Sequence, residues 1–186
     1  MTDERELPDS TRRLLHVPDV RFHRSLVEVV AEFDGARMDG AGPLIGTDVE
    51  TVRDEAAFAR LVAGLAGDDE VTVVDGTVPA SSFWLVEDDE LVGFLQVRHR
   101  LTPFLLEQGG HIGYSVRPSA RGRGLAARAL AEAVGVAREL GLYRILVACA
   151  EGNAASRAVI ERTGGAYEDS RHGLRRYWID TGRRST

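Results

Sequence analysis

The chain has 186 residues, of which 44% are hydrophobic and 28% charged, the balance of one folded domain with a substantial core and not of a disordered chain. Its formal net charge of -6 argues against nucleic acid as a general partner. A single cysteine, Cys149, excludes an intrachain disulfide and a cysteine-based metal cluster, and fits a reducing compartment.

In chain order, the first regular pattern is at residues 22–33, where Leu26, Val27, Val30 and Phe33 recur at helical spacing. The Gly/Pro-rich run 39–46 reads as a loop, and residues 55–65 repeat the helical pattern with Phe58, Leu61, Val62 and Leu65. After Pro79 the period changes. Phe83-Trp84-Leu85-Val86, the acidic run 87–90 and residues 91–97 read as strand, tight turn and strand, with the four acids a solvated tip. Gly109-Gly110-His111-Ile112-Gly113-Tyr114-Ser115-Val116-Arg117-Pro118 is a glycine-led strand that the proline stops. Residues 124–140 form the clearest helix, with Ala126, Leu130, Ala133, Val134, Ala137 and Leu140 on one face and Gly141 to end it. A buried strand at 143–149 follows. Asn153 caps a helix running to about Thr163 and closed by Gly164-Gly165, and short strands at 166–168 and 176–179 complete the chain. Helices, a hairpin, a strand-helix-strand unit, a helix and final strands describe an α/β fold, a mixed central sheet with helices on its faces. One domain spans 11–182, between tails at 1–10 and 183–186.

The chemistry concentrates in Arg121-Gly122-Arg123-Gly124-Leu125-Ala126, between a strand and the strongest helix. A helix's first turn has unpartnered backbone N–H groups and the positive end of the dipole, and glycines let a phosphate reach the main chain. Arg121 and Arg123 add charge, so a pyrophosphate-bearing cofactor is the natural ligand. A Walker loop would need Gly-Lys-Ser/Thr, and a dinucleotide fingerprint would need a repeating βαβ array; this chain has neither. An RNA-binding surface built on one Arg-Gly run in an acidic chain is a poor fit.

Arg121-x-x-Gly124-x-Ala126, after a strand ending Ser-Val-Arg-Pro, resembles the Gln/Arg-x-x-Gly-x-Gly/Ala signature of the GNAT (GCN5-related) N-acetyltransferase superfamily. Asn153-Ala154-Ala155-Ser156 resembles that family's Asn-x-x-Ser/Ala element, and Gly164-Gly165 stands where such proteins often have Gly-Phe. The likeness covers roughly residues 80–180. Phe83-Trp84-Leu85-Val86, Val97-Arg98-His99-Arg100, the 109–118 segment and Arg176-Tyr177-Trp178-Ile179 look closer to a bacterial subgroup of predicted acetyltransferases.

The resemblance implies the acyl-CoA N-acyltransferase fold with helices on both faces of the sheet, acetyl-CoA as co-substrate and no metal. It places the CoA pyrophosphate on the amides of Arg121, Gly122, Arg123, Gly124, Leu125 and Ala126. The pantetheine arm would lie along the strand ending at Val116 and bind Asn153, which equally serves as a plain helix cap. A neutral amine would attack the thioester directly, with an oxyanion donor in the backbone N–H of Ser115 or Val116. His111 is the first candidate for general base, because its ordinary pKa near 6.5 suits the task; Glu107 and His99 are weaker ones. Many members carry a tyrosine seven residues after the asparagine, where this chain has Ile160. Tyr114 and Ser156 are therefore the expected proton donors, with Tyr177 or water as stand-ins, and Cys149 reads as a small core residue.

The expected acceptor is a small-molecule or peptide amine; a non-catalytic acyl-CoA sensor is the alternative. The opening Met-Thr-Asp-Glu-Arg-Glu has no apolar core like that of a signal peptide, and no stretch approaches the roughly 18 apolar residues of a membrane span. The expectation is a cytoplasmic protein with no membrane or nucleic-acid partner. A twofold homodimer stays open.

Overall fold

Apolar residues alternating through the middle of the chain build one mixed sheet, on which every helix packs. The computed structural model describes residues 13–65, 69–73 and 76–182; both expected tails lie outside them. In order, the elements are β1 (Leu15–His16), α1 (His23–Phe33), α2 (Val49–Arg53), α3 (Glu55–Leu65), β2 (Asp69–Val73), β3 (Gly76–Glu87) and β4 (Glu90–Arg98). There follow β5 (Ile112–Val116), α4 (Leu125–Glu139), β6 (Arg144–Ala150), α5 (Ala154–Arg162), β7 (Ala166–Arg171) and β8 (Leu174–Asp180). The sheet runs β1-β3-β4-β5-β6-β8-β7, with β2 on the outer half of β3. Among the described strands only β5 and β6 pair in parallel.

Two cores follow from the period of two along each strand. One face carries Leu85, Val92, Leu95, Ile112, Val116, Val147 and Tyr177 beneath α4 and α5. The fully buried Ala129, Ala133 and Ala137 of α4 are small enough to bring that helix close to the sheet. The other face carries Trp84, Val86, Leu91 and Phe94, against Phe22, Leu26, Phe33 and Phe58 of the α1–α3 side. The Glu132 carboxylate of α4 accepts the Leu14 N–H at 2.9 Å and the Leu15 N–H at 3.0 Å, tying β1 to the helix layer.

Several boundaries differ from the sequence reading. β3 starts at Gly76, upstream of Pro79, because Val78 and Ala80 are inward-facing and buried and the segment pairs with β2, a strand the sequence hid among acids. The run 39–46 is not wholly a loop: Gly42–Leu44 forms a 3-10 turn. The sequence reading has no helix at the short α2, which Asp48 caps by accepting the Thr51 N–H at 2.7 Å. Gly109 and Gly110 precede β5 instead of lying in it, because Leu105–Gly109 makes one turn of π-helix closed at Gly110.

Candidate functional site

The ladder between β5 and β6 stops early. Ile112↔Val147 is its one paired position, although β5 continues to Val116 and β6 to Ala150. Two bonds from His111 pin the closed end. Its backbone N–H donates to the Leu146 carbonyl at 2.7 Å, and the Leu146 N–H donates to His111 Nδ1 at 2.9 Å, so an imidazole completes the ladder. Gly110 makes this approach possible: its φ is +67°, and a Cβ there would lie 2.5 Å from the Leu146 oxygen. Beyond the pin, the strands leave a wedge open toward their C-terminal ends.

Glycines likewise shape the loop at the end of this wedge. Gly122 and Gly124 have φ of +79° and +80°, with nothing within 4 Å of an added Cβ, so they are there for conformation and not for room. Gly124 is the N-cap of α4 and offers no side-chain cap. The first intrahelical bonds come from the Ala127 and Arg128 N–H groups, which leaves the donors of Leu125 and Ala126 without an intrahelical partner at an exposed helix start. Arg121 Nε donates to the Val116 carbonyl at 3.0 Å, fastening the loop to the end of β5.

Glu87 corrects the view of 87–90 as a merely solvated tip. It pairs with Arg123 at 2.5 Å and with Arg128 at 3.3 Å, so the β3–β4 turn braces the loop. On the other side, buried Arg117 pairs with Glu32 of α1, whose carboxylate also accepts the Ser119 N–H at 3.1 Å. The Arg117 hydrogen bond chiefly, with help from Ser119, holds the Glu32 carboxyl down at about 2.

Tyr114 and Ser156 come together. Tyr114 projects from β5 toward α5, and its hydroxyl lies 2.7 Å from Ser156 Oγ. Burial raises the phenol to about 12, so it is protonated throughout the physiological range. Asn153 Oδ1 accepts the Ser156 N–H at 3.0 Å; the cap is made, and the amide NH2 is left to other partners. Cys149 neighbours the same pair, but burial first of all pushes its thiol up, away from thiolate chemistry.

The remaining candidates are committed elsewhere. Because Nδ1 of His111 accepts a backbone N–H, the neutral ring carries its proton on Nε2 and has no free lone pair with which to take one from an amine. Burial, then the nearby Arg98 charge, lowers this histidine to about 4. Glu107 forms an ion pair with Arg171 at 2.6 Å. His99 meets Ser81 Oγ at 2.8 Å. The Tyr177 hydroxyl accepts from Arg175 and donates to Glu161. Ile160 is fully buried in the core. Among the described residues no group of three or more His, Cys, Asp or Glu side chains could hold a metal ion. No described helix is long and apolar enough to cross a membrane.

The acetyltransferase (GNAT) family model matches residues 53–165 of the chain. Among solved structures, RimL, the ribosomal L7/L12 alpha-N-protein acetyltransferase in complex with coenzyme A, is similar at 19% identity, over 89% of this chain and 92% of that one, with a TM-score of 0.59. A putative ribosomal-protein-serine acetyltransferase from Vibrio cholerae is similar at 17% identity, over 91% and 95%, with a TM-score of 0.59. The microcin C7 self-immunity acetyltransferase MccE, in complex with acetyl-CoA and AMP, is similar at 13% identity, over 89% and 91%, with a TM-score of 0.57. At these identities the likeness is one of fold. No curated protein sequence matches the chain.

Proposed function

The chain belongs to the GNAT acetyltransferase family, and on that premise we propose that it transfers the acetyl group of acetyl-CoA to a primary amine by direct attack in a ternary complex. The observation that carries this reading is the β5–β6 wedge, closed by His111 at one end and ending at the glycine-shaped start of α4 at the other. A pantetheine arm fits the wedge as an added strand, taking backbone hydrogen bonds that β6 does not. Its pyrophosphate reaches the amides of residues 121–126, where the Leu125 and Ala126 donors have no intrahelical partner and the helix dipole is positive. When bound, acetyl-CoA supplies the thioester. Ser115 and Val116 present the backbone edge beside it, and Asn153 offers its amide NH2 to the arm.

Tyr114 and Ser156 are the proposed donor to the departing sulfur. They form one hydrogen-bonded unit, and a tyrosine that stays protonated at every working pH holds a proton on that unit. We assign His111 a structural part: it pins the wedge, and the amine loses its proton to water. A peptide α-amine is the favoured acceptor class, because like-folded proteins are named as acting on ribosomal-protein amines. Ile160 in the core at the position of the family tyrosine is the observation that favours a CoA-binding sensor instead.

Thiol release from acetyl-CoA, measured against amines and peptide N-termini, separates the two. Acceptor-dependent release is the expected result; acetyl-CoA binding with no release from any acceptor favours the sensor.

A further inference from the structure

Three arginines are wholly or largely buried against the sheet, and two are matched by carboxylates. Arg117 has Glu32, and Arg176 has Glu168 and Asp169. Arg98, at the end of β4, has no such partner among the described residues. Its Nη1 donates to the carbonyls of Gly109 and Gly110, at 3.4 and 3.1 Å, and its Nε is buried with no hydrogen-bond partner. Asp39 attracts it only at a distance and is already paired with Arg37 at 2.5 Å. A buried guanidinium satisfied by two neutral carbonyls holds uncompensated charge.

Arg98 lies in a trough. The pairing Gln96↔Gly113 puts Arg98, Gly113 and Ser115 on the face of the sheet opposite α4 and α5. Over β3 and β4 that face is covered by α1–α3. Over β5, β6 and β8 it is not fully covered, and Gly113, Ser115, Ala148 and Trp178 are all part-exposed. A Cβ built on Gly113 would lie 3.1 Å from the Gly40 backbone nitrogen and 3.5 Å from Arg98 Nη2, so Gly113 sits between the backbone of Gly40 and the cation. The Ser115 hydroxyl, on the same face two residues along β5, is also buried with no partner. The trough therefore contains a cation without a carboxylate, its Nε unpartnered, and a hydroxyl without a partner, and it borders the wedge where the thioester is proposed to sit.

We infer that Arg98 receives a carboxylate of the acceptor, so that the substrate class is an amine carrying a carboxylate about two residues away, as in a dipeptide free acid. This rests on the transferase reading for the amine's destination. Gly113 and Ser115 are about 7 Å apart along the strand, and an extended dipeptide spans a similar length. The carboxylate at Arg98 then leaves the amine beside Ser115 and Val116. A charge-assisted pair with a largely buried guanidinium discriminates against the uncharged amide analogue.

The test is calorimetric titration with glycylglycine, alanylglycine and lysylglycine, each as free acid and as C-terminal amide, into the protein saturated with CoA and into the apo protein. Free acids should bind at least about tenfold tighter than their amides, a ratio that falls to near one in Arg98→Gln and is partly kept in Arg98→Lys. The wild-type ratio needs no variant, so a misfolded Arg98→Gln leaves the test intact. Equal affinity of acids and amides, or a preference unchanged in a folded Arg98→Gln, overturns the assignment. The CoA titration that precedes these reads the other claim separately: CoA binding without acid preference sinks the Arg98 role alone, whereas acid preference without CoA binding sinks the cofactor reading alone.

Discussion

The hydroxyl of Tyr114 on β5 and that of Ser156 in the first turns of α5 lie 2.7 Å apart, joining β5 to the helix that follows β6. If this pair delivers the proton to sulfur, Tyr114→Phe and Ser156→Ala should each lower kcat about 100-fold. The double variant should be little worse than either, because the two act as one unit. Acetyl-CoA affinity should stay within a few fold. The tyrosine's pKa of about 12 means that the rate profile carries no alkaline fall from Tyr114 below pH 10. Steady-state kinetics against pH reads all three.

His111 makes a prediction of opposite kind. Its folded pKa of about 4 lies below the ordinary 6.5 of an unfolded histidine. Between those values the unfolded chain binds the extra proton. The contribution is therefore complete above pH 6.5 and is lost as pH falls toward 4. Linkage puts the loss between pH 7 and pH 5 at roughly 2 kcal/mol. His111→Asn keeps an acceptor for the Leu146 N–H and removes the titration, so urea unfolding should show a flatter slope in that variant. Turnover should remain within about tenfold, which a general base would not allow.

Glu32 anchors α1 to the turn before the loop. Removing it leaves Arg117, whose side chain is only 10% exposed, with Glu90 at 4.0 Å and the Leu91 carbonyl as its remaining partners. Glu32→Ala should cost about 3 kcal/mol. The carboxyl is held at about 2, so its stabilisation is complete above pH 4.5 and is lost as pH falls toward 2. Chemical denaturation at pH 7 and pH 3 should show a smaller difference between wild type and variant at the lower pH.

Glu87 should matter to cofactor binding without touching the cofactor. Glu87→Gln frees Arg123 and Arg128 from their shared carboxylate and loosens the loop. Acetyl-CoA affinity should fall about threefold to tenfold if bracing dominates. An increase would mean that Glu87 competes with phosphate for the arginines. Calorimetry gives the sign directly.

What the sequence made legible was local. Gly124 opening the helix and Asn153 capping the next depend on residues a few positions away, and so does the apolar stripe of α4. The roles the sequence could not assign depend on contacts distant along the chain. The tautomer of His111 is set by an N–H 35 residues away, and Glu87 finds its arginines 36 and 41 positions on. Arg98 reads as an ordinary charge at the end of a hairpin until the folded sheet leaves it without a carboxylate. Asp69 and Glu70 mask the alternation of β2 in the sequence, and pairing with β3 overrides that composition.

The most direct test of the cofactor site is calorimetric titration of acetyl-CoA into the wild type and into Gly124→Asp. Aspartate tolerates the left-handed backbone at that position better than most residues, and it places a carboxylate where the phosphates are proposed to sit. One-to-one binding by the wild type, weakened at least about 100-fold in a variant that unfolds near the wild-type temperature, is the predicted result. No binding by the wild type, or equal binding by a folded Gly124→Asp, would contradict it.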